Sequence, residues 1–98
     1  MLNEFVAKNK FGKSTYFIKV NPTLQITLHE ANDENIIFEL IEKGFFKNKI
    51  FFSIIVKKSL REAVIDAIDT SSEVLIREGF SVSEIEWQKL KANALRGI

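Results

Sequence analysis

The chain has 98 residues, 46% of them hydrophobic and 28% charged, with no cysteine and a formal net charge of +1. That is the size and balance of one folded domain over residues 1–98 rather than of a disordered chain, and it excludes disulfides and thiolate metal sites. No apolar run is long enough to span a bilayer and MLNEFVAKNK lacks the apolar core and cleavage site of a leader, so a cytoplasmic location and no membrane partner are expected.

In chain order, FVAKNKFGK reads as a strand running into a basic turn, where Gly12 permits a positive φ. TYFIKV follows as a strand with Tyr16, Ile18 and Val20 on one side and Thr15, Phe17 and Lys19 on the other. Asn21-Pro22 breaks it, because proline donates no ladder hydrogen bond. TLQITLHE alternates most cleanly, with Leu24, Ile26 and Leu28 against Thr23, Gln25, Thr27 and His29. After a polar turn over residues 31–34, NIIFELIEKGFF and KIFFSIIVKK read as two apolar strands in a hairpin closed around Lys47-Asn48. Strict alternation puts Ile50, Phe52, Ile54 and Val56 in one row and Phe51, Ser53 and Ile55 in the other.

The period changes near Ser59. Ser59 to Glu62 has the spacing of a capping box, and Leu60, Ala63, Val64, Ala67, Ile68 and Leu75 make one apolar helical stripe that Gly79 should end. A second box, Ser81 to Glu84 or equally Ser83 to Glu86, opens a short helix carrying Trp87, Leu90 and Ala94. Strands segregated from helices define an α+β class, a four-stranded antiparallel meander followed by two helices in the order β-β-β-β-α-α.

Charge is segregated more than the net value shows. Residues 1–20 carry Lys8, Lys10, Lys13 and Lys19 against Glu4; residues 21–42 carry five acids and no lysine or arginine; residues 43–58 carry Lys43, Lys47, Lys49, Lys57 and Lys58 and no acid. Local potential of this kind attracts a charged partner even when the total is small. Enzymatic chemistry has little to build on: His29 is the one histidine, the glycines form no phosphate-binding loop, and no serine has a partner set. Neither an enzyme nor a metal or other cofactor is expected.

The aromatic residues are the more informative class. Nine phenylalanines, most of them before Ser59, are more than one sheet face can bury, and lysines interleave with them. Exposed rings within a positive groove are how single strands are held without sequence readout. The candidate nucleic-acid contacts are Lys8, Lys10, Lys13, Lys19, Lys47 and Lys49 for phosphate and Phe17 and Phe51 for stacking.

GKSTYFIKV, ITLHEA and KIFF leading into REAVIDAID resemble the bacterial Pur-type repeat, and more broadly the Whirly-like single-stranded nucleic-acid-binding fold, over residues 5–70. The resemblance implies a four-stranded sheet followed by a helix, a homodimer, and single-stranded DNA or RNA bound on the sheet near Lys13 to Lys19. A homodimer is also expected because one helix cannot cover apolar rows on both faces of the sheet. The alternative reading is a protein-interaction module that binds and modulates another, unidentified protein, of the mobile-element or antitoxin-like inhibitor kind, through its second apolar face.

Overall fold

The computed structural model describes residues 3–8, 14–31 and 34–96. Five strands, β1 (Asn3–Lys8), β2 (Ser14–Lys19), β3 (Leu24–Glu30), β4 (Ile36–Glu42) and β5 (Lys49–Val56), precede two helices, α1 (Leu60–Arg77) and α2 (Glu84–Arg96). Every neighbouring pair is antiparallel and the spatial order follows the chain order. The α+β class, with an antiparallel meander leading into two helices, is therefore as expected. All five segments read as strands form, FVAKNKFGK among them as Asn3–Lys8 paired with β2, so the meander has one strand more than the four counted in the β-β-β-β-α-α order.

Local chemistry explains most of the boundaries. The Asn21 Oδ1 accepts from the backbone N–H of Thr23 at 2.8 Å and of Leu24 at 2.9 Å. That side-chain turn lets the chain reverse around Pro22 without leaving donors unpaired. At the start of α1 the Ser59 hydroxyl accepts from the Glu62 N–H while the Glu62 carboxylate accepts from the Ser59 N–H, so the capping box forms. At its end Gly79 has φ +94°, the Gly79 N–H donates to Ile76 and the Phe80 N–H donates to Leu75. This is a Schellman closure, and it needs the left-handed conformation that glycine adopts without a Cβ penalty. Of the two boxes available to the second helix the fold uses Ser83, whose Oγ accepts from Glu86 N–H.

The core lies between the helices and one sheet face. Ile18, Leu24, Ile26, Leu28, Ile36, Phe38 and Leu40 from β2, β3 and β4 meet Ala63, Val64, Ala67, Ile68 and Leu75 of α1 and Trp87 and Leu90 of α2. The small residues of the α1 stripe let the helix sit close to the sheet, and Ile26, Leu28 and Leu40 are wholly buried beneath it. α1 packs over β3 and β4, while α2 packs on α1 and reaches β1, so the helical layer is displaced away from β5. Lys91 of α2 is tied to Asp69 of α1 at 2.7 Å.

Two expectations about the last hairpin are corrected. The strand expected to run through Phe46 stops at Glu42, and the turn expected around Lys47-Asn48 is a six-residue loop, 43–48. Gly44 accounts for the early stop: a Cβ there would sit 2.3 Å from the Lys47 carbonyl oxygen, and the Gly44 N–H donates to Asn48 Oδ1. The second correction is a bulge. Leu40 pairs with Phe52 but Ile41 pairs with Ile50, leaving Phe51 as the extra residue. Strict alternation therefore fails at this point: Ile50 takes its place in the outer row beside Ile41, and Phe51 packs against the core instead of standing in the row of Ser53 and Ile55.

Candidate nucleic-acid interface at the hairpin end

The face turned away from the helices is organised in cross-strand rows. One row aligns Phe17, Thr27, Glu39 and Ser53; a second aligns Thr15, His29, Ile37 and Ile55; a third aligns Lys19, Gln25, Ile41 and Ile50. Polar side chains in the first two rows satisfy one another. Thr15 Oγ1 and His29 Nδ1 are 3.1 Å apart, Ser53 Oγ donates to Glu39 Oε2 at 3.1 Å, and His29 Nε2 lies 3.8 Å from Glu39 Oε1. The Thr27 hydroxyl reaches the same carboxylate at 3.5 Å. The middle of this face is thus a carboxylate-centred network, which repels phosphate rather than attracting it. Phe17 lies half-buried in the row that ends on it.

The expected contact residues do not form one surface on that face. Lys8 closes β1 at the far end of the sheet, opposite Ser14, and Lys10 and Lys13 lie outside the described residues. Lys57 and Lys58 are also at that far end, where Lys57 pairs with Glu34 at 3.2 Å and Lys58 with Asp66 of α1. Lys19, Lys47 and Lys49 gather at the opposite end, formed by the β2–β3 turn and the β4–β5 loop. Those two connections are joined by a hydrogen bond from Lys43 N–H to the Thr23 carbonyl at 2.7 Å. Phe51 is at this end too, with Lys49 Nζ 4.6 Å from its ring centre and Phe80 packed edge-on at 6.0 Å. It therefore supports the end from inside and is a poor stacking platform itself.

Two rings that the sequence pattern assigned to a strand are exposed instead. Phe45 and Phe46 sit at the apex of the 43–48 loop, each 92% exposed, their rings 4.7 Å apart and inclined at 80°. Lys43, Lys47 and Lys49 flank them, all exposed, and Lys19 stands on the outer face at the same end. Glu42, half-buried and paired in register with Lys49, is the acid nearest to the loop along the chain. The available signal was Gly44 with lysines on both sides, KGFFK, which marks a loop apex rather than a strand continuation. Two phenyl rings at this exposure are costly in water unless something covers them.

Among the described residues no group of three or more His, Cys, Asp or Glu is placed to hold a metal ion, and no helix is long and apolar enough to cross a membrane. Compared with protein families, curated proteins and solved structures, the chain matches none.

Proposed function

We propose that this protein binds single-stranded DNA or RNA as a homodimer, and that the contact is made by the β4–β5 hairpin end rather than by the open sheet face. The observation that carries the reading is the pair Phe45 and Phe46, each 92% exposed and set among Lys43, Lys47 and Lys49. Unstacked bases present apolar faces beside phosphates about one nucleotide apart, so rings and ammonium groups interleaved within one loop match both features. The order β2–β5 followed by α1 supports the resemblance to the Pur-type repeat. Of the contacts first inferred, Lys19, Lys47 and Lys49 belong to this site, Phe51 supports it, and Lys43, Phe45 and Phe46 join it.

Labelled oligo-dT and single-stranded RNA at low salt test the proposal. Affinity should fall as salt rises, with a log–log slope that loses about 0.7 for each lysine replaced by glutamine. Replacing both rings, Phe45→Ala with Phe46→Ala, should weaken binding by roughly ten- to a hundredfold through lost stacking, while leaving the melting temperature unchanged. No retention of single strands at low salt would end this reading.

A second reading rests on a different surface. On the outer face of β4 and β5, Ile37 and Ile41 are half-buried while Ile50 and Ile55 are 56% and 59% exposed. Contiguous apolar side chains of this kind mark protein interfaces, and a module that modulates another protein would dock there. Stoichiometric capture of a protein that survives nuclease treatment and is lost in Ile55→Lys would favour it over the first reading.

A further inference from the structure

We propose that β5 is the seam of the homodimer: the β5 strands of two copies pair edge to edge and antiparallel, about a twofold axis through Ile54, making one continuous sheet. This gives a place to the dimer contained in the proposed function, and it does not depend on nucleic acid.

Among the described residues β5 stands at the margin of the sheet with β4 as its one strand neighbour, so its outward N–H and C=O groups form a row ready to pair. Edge strands are ordinarily blunted by proline, by charge, by a bulge or by a covering element; the bulge at Phe51 blunts one end of β5 and leaves the rest open. Between Ile50 and Val56 there is no proline, glycine or charged residue, and the helical layer lies over β3 and β4 instead. The strand is consequently covered only in part: Phe51, Phe52 and Val56 pack against the core, while Ile54 is 37% exposed on the helix side and Ile55 59% exposed on the outer side.

The bulge and the lysines select the register. Phe51 interrupts the strand, leaving Phe52 to Val56 as its regular part, and Ile54 is the centre of that part. With the twofold at Ile54, Phe52 faces Val56 of the second copy on the helix side, and Ser53 faces Ile55 on the outer side. Every pair keeps its face, as an alternating strand requires, and a slip that pairs even with odd positions would set helix-side residues against outer ones. Centring on Ser53 instead would put Lys49 opposite Lys57 and draw both bulges into the seam, so like charge opposes that register. Ile54 then meets its own copy. A regular seam of about five residues is ~17 Å long and one strand spacing, ~4.8 Å, wide, a small area beside the ~800 Å² per partner of a standard interface, which makes the association weak and concentration-dependent.

The absence of cysteine makes the test clean. In Ile54→Cys the opposing thiols lie on residues whose Cα atoms are ~4.5–5.5 Å apart, within disulfide reach. Mild oxidation should give a species of twice the 11.3 kDa chain mass, and Gln88→Cys on the exposed side of α2 should not. Ile54→Lys should sediment as a monomer with an unchanged far-UV circular dichroism spectrum. If that variant fails to fold, Ser53→Lys, at an exposed position on the same seam, replaces it. A monomer at high micromolar concentration overturns the proposal, as does a dimer that neither crosslinks in the Ile54→Cys variant nor dissociates on introducing lysine. Oligo-dT binding measured on the monomeric variant separates the two readings: retained binding leaves the hairpin site standing whatever the fate of the seam.

Discussion

β3 and β5 are a natural pair for comparison, because the more apolar of the two is the more exposed. LQITLHE carries four polar or charged residues, yet Leu24, Ile26, Thr27 and Leu28 are all buried. KIFFSIIV carries two, and no residue of it is fully buried. Side-chain hydrophobicity is therefore not what set burial here. β3 has a strand on each side and α1 above it, whereas β5 has one strand neighbour and a helical layer displaced toward β1. Apolar content in excess of what the fold covers is what distinguishes β5 from β3.

Truncation should separate the two strands most widely. Leu28→Ala removes a wholly buried side chain of β3 and should destabilise by about 2–5 kcal/mol. Ile55→Ala, on a residue 59% exposed, should cost under about 0.5 kcal/mol at concentrations that keep the chain monomeric. Denaturant titrations of the two variants check this, and equal losses would break the comparison.

A smaller effect sharpens it at a place where β5 does receive cover. Gly79 turns the chain so that Phe80 packs edge-on against Phe51 at 6.0 Å. A Cβ at position 79 meets no atom within 4 Å, so the cost of Gly79→Ala is conformational and should be about 1 kcal/mol. Phe80 should lose its position over Phe51 at the same time, visible as a shift of the Phe51 ring resonances with those of Phe38 unmoved.

The smallest effect concerns the other end of β5, which the Lys58–Asp66 pair ties to α1. The hydrogen bond and charge of Asp66 raise the Lys58 pKa above its ordinary 10.5. A raised folded-state pKa contributes stability that is fully present below about 10.5 and is lost as pH climbs through the folded value. The difference between the protein and Asp66→Asn should accordingly be small and flat across neutral pH and should vanish in strong alkali. Because the pair is exposed, added salt should diminish it too.

Much of the fold was legible because its signals are local. The Ser59–Glu62 box, the α1 stripe, Asn21-Pro22 and the alternation of TLQITLHE each depend on residues within one or two turns of one another, and each formed as read. The hairpin end was less legible. Gly44 signalled a break, but Phe45 and Phe46 have high strand propensity and continued an apolar run, so composition pointed to a strand where the close approach of residues 44 and 47 makes a loop.

What the amino-acid order determined by itself is the succession of strands and helices and the apolar side of β3 and α1, since periodicity and capping act over a few residues. Tertiary structure alone decided the rest. The bulge at Phe51 exists only because β5 must match β4 residue by residue, and it moves one ring to the helix side while returning Ile50 to the outer face. The division of the lysines between two ends follows from an antiparallel meander, which sends alternate turns to opposite ends of the sheet and so parts Lys8 from Lys19, Lys47 and Lys49. The bareness of β5 is decided by where two short helices come to rest, a choice made by small residues on α1 fitting over β3 and β4 and by nothing in the sequence of β5.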